Sequence, residues 1–399
     1  MRRGKVEPGD ASDRLFTRRT LLRGSAGAGV LALGAGAVAS CVNSGQIPGA
    51  DANGLSLAPG FTSRIIARAT LPVAGTGHVY RIFPDGAATF ADPLGGGWYL
   101  TVNHEVPASG GVTSIRFAAD GTITNARSIC AGTRLNCAGG PTPWGTWLSG
   151  EEFDGGHIWE CDPTGARQAV ERYALGTFKH EAATVGTDQR VYLTEDHSDG
   201  ALYRFTPSRP GDLTSGVLEV ATGVAPAPGS ATSVVWRAVP NRNPAVGQTP
   251  TRHQVAGTIR FKGGEGIDSA DRHVWFTTKG DNRIWQYDAT TSRLSIRYQG
   301  GGSSTLSGVD NLLVDERSGC LVVAEDGGDM QVVAIRPDNT AIVVAQVLDQ
   351  GGSEITGPCF SPNGQRLYFS SQRAPIGELG LPLGVTYEIS GPFDVMMGR

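Results

Sequence analysis

At 399 residues, with 38 acidic against 34 basic side chains and a formal charge of −4, the chain lacks the basic excess that a nucleic-acid partner demands. Residues 1–40 hold seven Lys/Arg and three Asp/Glu, so the remainder stands at −8, a balance suited to cation sites. Fifty-seven glycines, 18% charged residues and many short apolar runs point to turn-rich β structure with ample length for a core.

The N-terminus reads as an export signal. Thr17-Arg18-Arg19-Thr20-Leu21-Leu22-Arg23 is a twin-arginine pattern. The Gly/Ala-rich stretch from Gly24 to Ala39 that follows is too short and too rich in glycine for a permanent membrane span. Val38-Ala39-Ser40-Cys41 is a lipobox, in which Cys41 becomes the first residue and carries a lipid anchor; cleavage after Ala39 is the competing reading. Residues 41–58 are then a linker and residues 59–399 a single domain, expected as a monomer that meets the membrane only through Cys41. The six cysteines leave Cys130, Cys161, Cys320 and Cys359 open to two readings: one of three possible pairings, or free buried thiols in a chain folded in the reducing cytoplasm.

Along the body, Trp98-Tyr99-Leu100-Thr101-Val102 and Trp144-Gly145-Thr146-Trp147-Leu148 read as inner strands of β-propeller blades. The first run leads into Asn103-His104-Glu105. Before the second lies Asn136-Cys137-Ala138-Gly139-Gly140, a thiol among small residues whose sulfur can be approached closely, and after it come Glu151-Glu152. Four later segments share one layout: an acidic residue, an apolar strand, a polar turn and a second apolar strand. They open at Glu181, Glu265, Asp310 and Glu354. The last two steps are 45 and 44 residues, a period that fits a four-stranded blade, while the 84 residues from Glu181 to Glu265 hold an extra blade or an insertion. The proline-rich segment from Gly223 to Val255 is a loop that covers a propeller face or links blades. The fold class is therefore all-β, a β-propeller of about six blades with loop insertions.

In a propeller the first strand of each blade lines the central channel. Residues at one blade position then form a ring, so Glu181, Glu265, Asp310 and Glu354 converge at one end of the axis. Converging carboxylates repel and climb in pKa unless cations neutralise them. Oxygen donors in that number suit Ca²⁺ or Fe³⁺, and the Cys137 thiolate favours a transition metal, so a mixed site is expected. His104 and His180 each precede a glutamate; the doubling points to a shared role in orienting that carboxylate, against the plainer reading of two structural histidines. Glu195-Asp196 and Glu325-Asp326 end equivalent strands and read as a solvated rim. No Gly-x-Ser-x-Gly elbow and no His-Glu-x-x-His motif occurs.

These segments, taken in order with His180-Glu181-Ala182, Glu265-Gly266-Ile267, Asp310-Asn311-Leu312 and Glu354-Ile355-Thr356-Gly357-Pro358, resemble the PhoX family of secreted alkaline phosphatases over most of the mature chain. The resemblance implies a propeller holding two irons bridged by a cysteine, together with calcium. Carried onto this chain, the bridge is Cys137, and the carboxylate ligands come from Glu105, Glu152, Glu181, Glu265, Asp310 and Glu354. The implied activity is hydrolysis of small phosphate esters, with Arg134, Lys179, Lys279 and Arg373 as candidates to hold phosphoryl oxygens. Two local departures concern substrate choice: Gly150 stands where close relatives carry cysteine, and Arg373-Ala374 where they carry His-Pro. The alternative is a calcium-binding propeller lipoprotein, non-catalytic or lactonase-like, which needs acids around a cation but no thiolate.

Overall fold

The computed structural model describes residues 49–301 and 304–398; the twin-arginine segment, the lipobox and Cys41 lie outside them. Six four-stranded antiparallel units follow one another along the chain. Blade 1 is Pro84–Ala91, Gly97–His104, Gly110–Ala118 and Ile123–Thr133; blade 2 is Asn136–Pro141, Trp147–Glu151, Ile158–Cys161 and Val170–Glu171. Blade 3 is His180–Val185, Val191–Glu195, Leu202–Pro207 and Gly216–Gly223; blade 4 is Gly264–Ala270, His273–Thr278, Arg283–Asp288 and Arg293–Gln299. Blade 5 runs Val309–Asp315, Cys320–Glu325, Gln331–Ile335 and Ala341–Val347, and blade 6 runs Ile355–Phe360, Arg366–Ser371 and Val385–Ser390.

The early chain closes the last two blades. Leu55–Leu57, inside the expected linker, pairs with Ala345–Val347 at the edge of blade 5, and Thr62–Arg68 supplies the fourth strand of blade 6. These two segments thereby become the outer edge strands of blades 5 and 6. First strands pack on their neighbours in the cycle 1-2-3-4-5-6-1, so they form the wall of a central channel.

The segment between blades 3 and 4 is an insertion and adds no blade. Its strand Ala231–Ala238 pairs with the outer strands of both blades and joins them into one nine-stranded sheet. Among the described residues the longest helix is Phe393–Met397, and none is long and apolar enough to cross a membrane.

The sequence reading misplaced two strands. Gly97–His104 and Trp147–Glu151, which hold the aromatic runs, are the second strands of their blades. The inner strands are the weakly apolar Pro84–Ala91 and Asn136–Pro141. Crowding explains their composition: an added Cβ at Gly140 would lie 1.7 Å from the Ala183 carbonyl oxygen of blade 3, and one at Gly139 1.8 Å from that of Leu148. Side chains large enough to advertise a strand do not fit there. Gly140→Ala is expected to cost more than about 3 kcal/mol, read by thermal denaturation, and a midpoint within a degree of the parent would contradict this packing.

Candidate metal centre

All six inner strands carry a one-residue bulge near their first residues. A bulge re-aims the side chain it carries. The bulge positions hold Asp85, Cys137, Glu181, Glu265 and Asp310 in blades 1 to 5, and Gly357 in blade 6. A second ring lies where each second strand ends: Glu105, Glu152, Asp196, Lys279 and Asp326 in blades 1 to 5, and Ser371 in blade 6. Blade 6 breaks both rings and contributes Glu354 and Arg373 from flanking positions instead. Glu354 therefore stands three residues ahead of the bulge, not at the position shared by Glu181, Glu265 and Asp310.

Neighbouring blades latch these bulges in place. Asn103 Nδ2 donates to the carbonyls of Cys137 (3.0 Å) and Ala138 (2.8 Å), and its Oδ1 accepts from the Trp147 indole (2.8 Å) and Ser149 (2.9 Å). Thr194 donates to the Glu265 carbonyl at 2.6 Å, Thr277 donates to that of Asp310, and Thr356 to that of Pro84 at 3.0 Å. Asn311 accepts from the Gly357 amide at 2.7 Å. Ring spacing is thus set by buried side-chain to backbone bonds, which are costly to break.

The result is a cavity of about 240 Å³ lined by charged side chains and one thiol. Four trios of donor atoms lie within 4.8 Å of one another: Cys137, Glu152 and Glu181; Glu181, Glu265 and Asp310; Asp310, Asp326 and Glu354; Asp85, Glu105 and Glu354. Consecutive trios share Glu181, Asp310 and Glu354, so three carboxylates are placed to bridge adjacent ions. Two buried oxygens, Asp85 Oδ1 and Glu181 Oε2, have no hydrogen-bond donor. Native proteins rarely leave such atoms unmatched, and this donor set fits several hard cations with one softer ion at the thiol.

Electrostatics point the same way. Burial, then the neighbouring acids, raises Asp85, Cys137 and Glu181 well above their usual ranges. Burial followed by the charges of Glu152 and Glu354 lifts Glu105 to about 8, and burial, opposed by Arg373, lifts Glu354 to about 7. Both hold a proton more tightly folded than unfolded. They support the metal-free fold below their ordinary value of 4.5, and that support drains away as pH rises through 7 and 8. Chelated protein is expected to melt lower at pH 9 than at pH 6 by roughly 5 °C or more, and saturating Ca²⁺ to flatten the dependence. Differential scanning calorimetry on chelated protein checks the sign; a midpoint that rises with pH would contradict it.

Lys279 and Arg373 stand in the cavity wall. Lys279 Nζ lies 2.7 Å from Glu265 Oε1, and Arg373 Nη1 bonds Glu354 Oε1 at 2.9 Å. Lys179 does not line the cavity but stands beside it, 2.8 Å from the wall residue Glu152. Arg134 is exposed and does not line the cavity; its guanidinium sits 4.8 Å from the Phe153 ring centroid.

All seven expected ligand residues line this one cavity. Sequence reasoning missed Asp85 and Asp326. Counting back one blade from Cys137 leads to Pro84-Asp85-Gly86, but no apolar run marks that strand. It also missed buried Gln372, whose amide donates to Asp85 and, at 2.9 Å, to Glu105. His104 and His180 do not orient the adjacent glutamates: His104 bonds Thr113 (2.8 Å) and the Ile82 carbonyl (3.2 Å), and His180 bonds the Gly176 carbonyl (3.0 Å). Burial lowers both to about 3, as for core histidines. The solvated-rim reading fails for Glu195, Asp196 and Glu325, which are buried, whereas Asp326 is exposed. No disulfide joins the described cysteines.

The family model described as alkaline phosphatase PhoX matches residues 100–155 and 153–375. No curated protein sequence matches the chain. Among solved structures it is similar to Pseudomonas fluorescens PhoX in complex with vanadate, a transition-state analogue, with a TM-score of 0.70 and 18% identity, covering 86% of this chain and 97% of that one. It is also similar to a protein of unknown function from Dyadobacter fermentans, with a TM-score of 0.50 and 9% identity, covering 84% and 100% of the two chains.

Proposed function

Since the chain belongs to the PhoX alkaline phosphatase family, we propose that it is an exported phosphatase that hydrolyses small phosphate esters over an iron and calcium cluster. The observation that carries this reading is the run of four donor trios linked through Glu181, Asp310 and Glu354, with the Cys137 thiol at one end. In this assignment Cys137, Glu152 and Glu181 hold iron, and the remaining acids hold calcium. Such a cluster, when bound, offsets the negative charge that builds on a phosphoryl group in transfer.

The protein's own cations complete the site. Arg373 and Lys279 flank the cavity from blades 6 and 4, and Lys179 stands beside Glu152. They bind and orient the phosphoryl oxygens not taken by the cluster. The vanadate bound to the Pseudomonas fluorescens protein is the type of anion such an arrangement accepts. The wall has no apolar residue, so the alcohol part of the ester is held outside the cavity. Export by the twin-arginine route, with Cys41 lipidated, completes the reading.

The test is hydrolysis of p-nitrophenyl phosphate by protein exported through its own signal, with bound metals counted in parallel. Iron and calcium together, with activity abolished by chelation, would support it. Protein carrying calcium alone and inert toward phosphate esters would be a calcium-binding propeller of another function.

A further inference from the structure

A chain of alternating charges runs beside the cavity between blades 2 and 4. Lys179 lies 2.8 Å from Glu152 and donates to Asp196 Oδ2 at 2.7 Å; Lys279 approaches that same oxygen at 3.1 Å and Glu265 at 2.7 Å. Asp196 occupies the second-ring position of blade 3 yet does not line the cavity. It is buried and spends one oxygen on two ammonium groups.

The loop that Asp196 opens is fixed from behind. Arg252 arrives from the insertion between blades 3 and 4. Its Nη1 bonds Glu195 Oε1 at 2.8 Å and its Nε bonds Asp199 Oδ1 at 3.1 Å. Glu195 is fully buried, and its other oxygen accepts from the Tyr203 hydroxyl at 2.9 Å and the Ala201 amide at 3.1 Å. Buried ion pairs return little stability for their desolvation, so two like charges gathered on one carboxylate make a poor device for stability alone. They make a good device for presenting two donors at a fixed separation to a multiply charged anion.

We propose, resting on the phosphatase reading above, that Asp196 is a positioning residue: it holds Lys179 and Lys279 as a cation pair for the phosphoryl oxygens, and Arg252 holds Asp196 in place. The insertion between blades 3 and 4 is then part of the site's support rather than a passive link.

The test uses metal-loaded, exported protein and inorganic phosphate as the probe, by calorimetry and by inhibition. Asp196→Asn is expected to weaken phosphate binding and raise KM by about tenfold, with kcat within about threefold and metal content unchanged. Asp196→Glu regains most of the phosphate affinity, and the remote Arg252→Gln moves it in the same direction by about threefold. Phosphate affinity unchanged in Asp196→Asn, or lost in proportion to metal, overturns the proposal. If Asp196→Asn does not fold, unchanged affinity in Arg252→Gln overturns it instead. A parent protein that holds its metals but binds no phosphate fails the phosphatase reading itself, and this proposal with it.

Discussion

If the proposed iron and calcium cluster is present, replacing Cys137 with serine is expected to strip its iron, leave its calcium in place and lower phosphatase activity by at least about 10³-fold. Cys137 is the one sulfur donor in a wall otherwise made of carboxylates and two cationic side chains. Its Sγ lies 3.3 Å from Glu181 Oε1 and shares a trio with Glu152 and Glu181. Burial, and then the charges of Asp85 and Glu181, keep this thiol protonated in the absence of metal. Ionisation must therefore be coupled to metal binding, and serine, a harder and far weaker acid, cannot replace it. The latch from Asn103 holds the carbonyls of Cys137 and of Ala138 that follows it, so the substitution leaves the fold intact. Elemental analysis beside the hydrolysis assay decides the outcome. Iron retained at the parental level, or calcium alone in both proteins, would sink the iron assignment.

Asp310→Asn should act with opposite sign in the two states of the protein. Asp310 belongs to two trios, and its proton affinity is raised first by burial and then by Glu354. In chelated protein at pH 8, removing its charge relieves repulsion in the ring, and the amide keeps an oxygen for Asn311 Nδ2, which bonds Oδ1 at 2.8 Å. The melting midpoint of the chelated variant is expected to equal or exceed that of the chelated parent by a few degrees, about 2 °C per kcal/mol of relief. On the proposed cluster, the same change in loaded protein would remove a carboxylate shared by two of the donor trios. At least one ion is expected to be lost and activity to fall by on the order of 10²-fold or more. Melting curves with and without chelator read both signs from one sample. A chelated variant that melts well below the chelated parent would make Asp310 a structural residue.

What was legible in advance follows from which features repeat at fixed chain distance. Glu181, Glu265 and Asp310 could be paired from sequence because each sits on a bulge just before a strong apolar strand, with a second apolar strand after a tight turn. Cys137 stood out through its small neighbours, which are small because Gly139 faces the Leu148 carbonyl oxygen of its own blade and Gly140 that of Ala183 in the next blade. The same crowding hid Asp85, since the inner strand of blade 1 has little apolar character. It also misdirected the strand assignment toward the more conspicuous Trp98 and Trp147 runs.

By itself the sequence determined the all-β class and a blade period that brings Glu181, Glu265, Asp310 and Glu354 to one end of a channel, because a propeller converts chain period into angular position about one axis; small neighbours singled out Cys137, and the family resemblance added Glu105 and Glu152. Only the tertiary structure decided which acids come within 4.8 Å of one another. Asp326, Gln372 and Asp196 come from second-strand ends, whose neighbours lie across blade junctions and not along the chain. Their chemistry depends on side-chain approach within a few ångströms, a distance set by bulges and latches from adjacent blades. Periodicity shows that residues share a ring; packing between blades sets whether they meet a metal, a lysine or a backbone amide.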